Sequence, residues 1–172
     1  MIDWSDPVYG VLPDPAPWYE STSDIRQRQV GLHVQDEISA GAWRGSLALR
    51  QDWTRQTGDS SVSGRIDQSD DALTGRAGLS YVMGNGVIPY LSYSTSFDPQ
   101  IGTNVETGGP LEPNEARQWE LGVKYQPSAF AGPFTAAVYD MTQENVTEGL
   151  GRGLFRQIGE VKSRGIELEA TA

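Results

Sequence analysis

The stretch LTGRAGLSYVMGNGVIPYLSYSTSF (73–97) decides the fold. Before its centre, Leu73, Ala77, Leu79, Tyr81 and Met83 alternate with Thr74, Arg76, Gly78 and Ser80. After it, Val87, Leu91, Tyr93 and Phe97 alternate with Ser92, Ser94 and Ser96. Successive side chains of a strand point to opposite faces, so a period of two describes two strands, each with one apolar and one polar side. Gly84-Asn85-Gly86 between them is hairpin-turn chemistry.

The same alternation recurs outward in both directions. Val30, Leu32 and Val34 share a parity, with His33 on the other. Trp43, Leu47, Leu49 and Trp53 are set against Arg44, Ser46, Arg50 and Asp52, and Trp119, Leu121, Val123 and Tyr125 against Gln118, Glu120 and Lys124. Ile166, Leu168 and Ala170 are set against Glu167 and Glu169. Residues 133–147 are less regular: Phe134, Ala136 and Val138 share a face, but Tyr139 and Met141 sit on the other, and a short helix competes there. The pattern predicts seven strands near 25–38, 42–56, 71–83, 87–97, 116–126, 133–147 and 155–171. Eight of the ten prolines fall outside them; Pro89 lies near a turn and Pro133 is the first residue of its segment. Short connections (39–41, 84–86, 127–132) alternate with long polar ones (57–70, 98–115, 148–154), and residues 1–23 read as one more long loop.

Composition narrows the function. The chain has 172 residues, 13 Lys+Arg against 23 Asp+Glu and a net charge of −10, which opposes nucleic-acid binding. It has no cysteine and one histidine, which removes disulfide frameworks, zinc sites, thiol nucleophiles and multi-histidine metal motifs. No apolar run is long enough for a membrane-spanning helix. The first ten residues, MIDWSDPVYG, lack the pattern of a signal peptide.

Alternation alone fits a soluble β-sandwich as well as a membrane barrel. Aromatic placement favours the barrel. Trp43, Tyr81, Tyr125 and Phe134 lie near the short turns, whereas Trp53, Phe97 and Trp119 lie near the long loops. Two aromatic bands at opposite strand ends are the interfacial girdles of a transmembrane barrel. The expected fold is all-β: an antiparallel up-and-down meander of about seven strands. Seven strands do not close a bacterial barrel, so they form an open segment of a larger one.

The blocks PYLSYSTSFDPQIG (89–102), GGPLEPNEARQWELGVKYQP (108–127), FTAAVYDMTQENV (134–146) and QIGEVKSRGIELEA (157–170), with DPVYG (6–10) and QVGLHVQDEI (29–38) upstream, resemble TonB-dependent ferric-siderophore receptors. The ferric-hydroxamate branch is nearest in character. The resemblance implies an outer-membrane transporter rather than an enzyme, with a 22-stranded barrel behind an N-terminal plug. Residues 1–172 are then expected to be a partial barrel domain, about a third of the wall, lacking plug, TonB box and C-terminal strands. The implied partners are a ferric siderophore, the TonB complex reached through the plug, and outer-membrane lipid. No cofactor is expected, because the siderophore itself holds the iron. The competing readings are a non-transporting structural or adhesive barrel and a soluble β-sandwich binding domain.

Candidate site residues follow. Trp4, Tyr9, Trp18 and Tyr19 in the first loop offer aromatic surface with hydrogen-bonding tips, suited to an iron chelate. His33, Glu167 and Glu169 are expected to line the lumen, as are Arg44, Arg50, Arg76, Glu120, Lys124 and Glu160. Asp67, Asp70 and Asp71 are expected in a solvated acidic loop without EF-hand spacing. GLGRG (149–153) matches no phosphate-binding motif and reads as a loop tip. No catalytic residue and no metal ligand is expected.

Overall fold

A computed structural model describes residues 22–61, 64–126, 132–151 and 154–171. Seven strands form one sheet: β1 (Ser23–Ala40), β2 (Trp43–Ser60), β3 (Gly64–Tyr81), β4 (Val87–Asp98), β5 (Asn114–Tyr125), β6 (Phe134–Gly151) and β7 (Leu154–Ala170). Each is antiparallel to the next, and spatial order equals chain order. The irregular segment 133–147 lies in β6, with no helix. Its two misfits have a simple reason: Tyr139 and Met141 belong to the polar face.

One register row crosses all seven strands: Ile38, Gly45, Leu79, Leu91, Leu121, Val138 and Ile166. Directly opposed residues share a face. The seven separate alternations therefore merge into one continuous apolar face. Among the described residues nothing packs over its side chains; Ile166 is 76% and Leu168 80% exposed. A sandwich would bury this face under a second sheet, and the described residues form a single sheet.

Two expected loops are strand instead. Segment 57–70 carries the ends of β2 and β3, paired up to Ser60↔Gly64. Segment 148–154 carries the ends of β6 and β7. Neither extension carries a run of apolar residues at alternate positions, so no alternation marks them. Exposed charges pair across them, Arg55 with Asp67 at 3.1 Å and Arg156 with Glu148 at 2.7 Å. The Gly84–Gly86 turn is as expected: the Met83 N–H donates to Val87 O at 2.9 Å, and Gly86 takes φ +82°. A side chain there would strike the Gln126 carbonyl.

The β3–β4 seam is the weak joint. It is paired only from Arg76↔Ser94 to Ser80↔Tyr90. Just above, the Gly75 N–H donates to the Thr95 hydroxyl at 2.9 Å in place of a backbone carbonyl.

Candidate functional site

The outward face has an upper limit that slants across the sheet. Above the common row, apolar side chains continue to Val30 on β1, eight residues beyond Ile38; on β7 they stop at Ile166, on the row itself. That is a descent of eight residues over six strand-to-strand steps. At ~3.3 Å per residue and ~4.8 Å between strands, it corresponds to strands tilted about 40° from the membrane normal, the tilt of a closed barrel. Trp43 and Trp53 then stand about 25 Å apart along the normal, which matches the apolar band of an outer-membrane wall. Trp43 packs edge-on to Tyr81 at 4.9 Å in the lower girdle, and Tyr93 meets Trp119 at 4.6 Å in the upper one. At and beyond the upper girdle the same face becomes charged: Arg164–Asp140 at 2.7 Å, Lys162–Glu160 at 2.9 Å and Arg117–Glu144 at 3.6 Å.

The inward face is mainly polar and carries most of the charges of the band region. On β2, Arg50 donates two hydrogen bonds to Asp52, at 2.6 and 2.7 Å, and Gln29 of β1 donates a third at 2.9 Å. Asp52 is 3% exposed. Gly31 makes this possible, since a Cβ there would collide with the Arg50 guanidinium. Toward the short-turn end, the Tyr90 hydroxyl donates to Glu120 at 2.6 Å, Gln118 donates to Glu120 at 3.2 Å, and the Lys124 ammonium sits 5.3 Å from the Tyr90 ring centre. The Tyr90 ring lies across Gly122, and the Tyr139 ring across Gly165. A hollow of about 500 Å³ opens on this face among Arg44, Ser46, Arg76, Tyr90, Glu120 and Lys124.

The long connection 99–113 is folded rather than free. Its ends approach as a small hairpin: the Asn104 N–H donates to Gly109 O at 2.8 Å, and the Leu111 N–H to Gly102 O at 3.1 Å. It lies over the inward face at the upper end and is clamped on both sides. On one side Gln56 donates to Gln100 O at 2.7 Å, and Gln68 to Leu111 O at 3.1 Å. On the other, the Gln157 amide donates to Glu112 O at 2.7 Å and accepts from the Glu112 N–H at 2.9 Å. Asn145 donates to Pro113 O at 3.0 Å, and the Val105 N–H to Phe155 O at 2.9 Å. Leu111 (1% exposed) and Gln56 (2%) are the most deeply buried side chains described. Val105, Glu106 and Thr107 at the tip stay exposed above the lumen.

Against these positions the expected site residues divide. His33, Arg44, Arg50, Arg76, Glu120, Lys124, Glu167 and Glu169 all carry inward parity. Glu160 does not: it pairs with Glu144 on the outward side, beyond the apolar band. There the lipid gives way to water, so a charge no longer marks the lumen. Asp67, Asp70 and Asp71 lie in β3 rather than a loop. Alternation separates them: Asp67 and Asp71 point outward, and Asp70 inward with Gln68. No group of three or more potential metal ligands occurs among the described residues. Trp4, Tyr9, Trp18 and Tyr19, and part of GLGRG (149–153), lie outside the described residues. The glutamine clamps and the tyrosine–glycine joints were not read from the sequence. Tyr and Gly at opposed inward positions of neighbouring strands are the signal that would have found the joints.

The comparisons with known proteins agree with this geometry. Residues 2–172 match the family model described as TonB dependent receptor-like, beta-barrel. The chain is 42% identical over 171 residues to the ferrioxamine B receptor of Salmonella typhimurium, covering 98% of this chain and 24% of that protein. It is 38% identical over 152 residues to the ferrichrome outer membrane transporter/phage receptor of Escherichia coli K12, covering 86% of this chain and 20% of the relative. The chain thus spans about a quarter of the length of these relatives. Among solved structures, the alcaligin outer membrane receptor FauA of Bordetella pertussis superposes with TM-score 0.68 at 23% identity, over 86% of this chain and 27% of that one. The siderophore receptor PiuA of Acinetobacter baumannii gives 0.67 at 23% identity, over 86% of this chain and 23% of that one. These two likenesses speak to the fold. A slanted apolar band between aromatic girdles, a charged inner wall and a family match along nearly the whole chain place this protein in the TonB-dependent receptor β-barrel family of the outer membrane.

Proposed function

We propose that this chain is a sector of the wall of an outer-membrane receptor that takes up a ferric siderophore of the hydroxamate class. The observation that carries the reading is the two-sidedness of a single sheet, apolar toward lipid and charged toward a lumen, with the 99–113 loop folded across the inner side. The relatives at 42% and 38% identity are a ferrioxamine B receptor and a ferrichrome transporter, and they supply the substrate class. The sector contributes binding and guidance rather than bond making. Iron stays inside its chelator, so the protein needs hydrogen-bond donors and flat aromatic surface and no metal ligands of its own. Trp4, Tyr9, Trp18 and Tyr19 are the proposed ligand contacts, and the exposed 105–107 tip stands above the lumen. The charged inner wall is the proposed seat of an interior plug through which the TonB complex would act.

The test uses the full-length receptor in an iron-starved host. Growth on ferrioxamine B or ferrichrome as the sole iron source is expected, and Trp18→Ala with Tyr19→Ala should weaken binding of the ferric chelate. Saturable uptake of no ferric hydroxamate, with the receptor folded in the outer membrane, would favour a structural barrel.

A further inference from the structure

The apolar outward face has one charged interruption. Asp36 on β1 lies between Val34 and Ile38 on the lipid-facing side, directly across from Leu47 of β2. The flanking outward residues of β2, Gly45 and Leu49, are also apolar. Other outward charges stand level with the upper girdle or beyond it, as Asp140 does beside Trp119 and Asp71 beside Trp53. Asp36 is exposed, and among the described residues it is the one outward side chain inside the band that is charged at neutral pH; none of them hydrogen-bonds or ion-pairs with it. It stands two residues above the common row, and Trp43, one strand over, stands two below it; with the strands tilted about 40°, that puts Asp36 about 7 Å above Trp43 along the membrane normal. An aspartate side chain is too short to reach headgroups from there. A carboxylate in hydrocarbon persists when it is paired.

The position supplies a place for the partner. β1 pairs only with β2, so its other edge is open among the described residues. An open edge is not tolerated in lipid, where each unpaired backbone group is costly. A further strand therefore lies along β1. About three quarters of the length of the relatives lies outside this chain, ample for that strand. We propose that Asp36 is half of a lipid-facing ion pair across this edge: the strand completing the wall beside β1 carries a lysine or arginine on its outward side, level with Asp36 or two residues from it. Opposed side chains at such positions stand ~4.5–5.5 Å apart at Cβ, within reach of a charge pair. The inference rests on the barrel reading, and the experiment separates the two.

The full-length receptor is extracted from outer membranes, and its heat-dependent shift in electrophoretic mobility is followed for the wild type, Asp36→Leu, Asp36→Asn and the control Val34→Leu. Asp36→Leu should lower the unfolding midpoint and raise the unfolding constant about tenfold or more, because a cation is left alone in lipid. Asp36→Asn should do less, since its amide oxygen still accepts, and Val34→Leu should leave the midpoint in place. Exchanging the charges, Asp36→Lys with the facing cation→Asp, should recover most of what Asp36→Lys alone loses. A raised or unmoved midpoint for Asp36→Leu, as expected for a bare carboxylate relieved of lipid, would overturn the pair. So would a neighbouring strand with no basic residue at the facing positions. A wild-type receptor absent from the outer-membrane fraction would overturn the barrel reading instead.

Discussion

At the scale of single residues, burial decides which charges matter. Arg55 and Asp67 are both about half exposed, so their bridge is worth under ~1 kcal/mol and Arg55→Ala should barely shift stability. Arg50 and Asp52 differ, because the Asp52 side chain is only 5% exposed. Arg50→Ala leaves that carboxylate with Gln29 as its remaining side-chain donor and should destabilise the receptor more than Arg55→Ala does. Arg50→Ala with Asp52→Ala should recover part of the loss, and denaturant unfolding of the four proteins in the cycle measures it. The glycines on the inward face work in the same local way. A Cβ at Gly122 would stand 2.5 Å from the Tyr90 ring, whose hydroxyl is held by Glu120. Gly122→Ala should cost about 1–2 kcal/mol, and much less in a Tyr90→Ala background. Equal losses in the two backgrounds would mean that the ring does not rest on the glycine.

At the scale of elements, the strands inside the band were legible because lipid and lumen impose opposite polarity on alternate residues. Leu79, Leu91 and Leu121 announced themselves and also fixed the register that joins them. Outside the band both faces meet water, and the signal disappears. This is why 57–70 and 148–154 read as loops although they are strand, and why Glu160 was read as facing the lumen. The 99–113 loop was opaque for another reason. Its fold depends on Gln56, Gln68 and Gln157, residues far away in sequence that answer its backbone groups. Replacing Gln56 and Gln68 together by alanine leaves the Gln100 and Leu111 carbonyls without those donors on the β2–β3 side. Limited proteolysis of the receptor should then cut within 99–113 several times faster, with the barrel intact. Unchanged cleavage would mean that the β6–β7 side alone holds the loop.

At the scale of the molecule, the sheet makes sense only with lipid on one side and water on the other. The apolar face has no protein to cover it, and the edges of β1 and β7 have no partner among the described residues. Residues 1–172 expressed alone should therefore aggregate or require detergent, and a monodisperse, cooperatively melting monomer in plain buffer would speak against this. Leu121→Lys, on the outward side of β5, should cost about 2–4 kcal/mol in a bilayer. Gln118→Lys, facing inward on the same strand, should cost far less. Strand β5 also offers the most direct measurement. Single spin labels are placed along it in the membrane-embedded receptor, at Gln118, Trp119, Glu120, Leu121, Val123 and Lys124, and collisions with oxygen, which concentrates in lipid, are compared with those of a water-soluble nickel complex. The predicted result is a period of two: oxygen dominates at Trp119, Leu121 and Val123, and the alternate positions are shielded from lipid. Equal access to the water-soluble reagent on both parities, or oxygen exposure at Gln118, Glu120 and Lys124, would contradict the account.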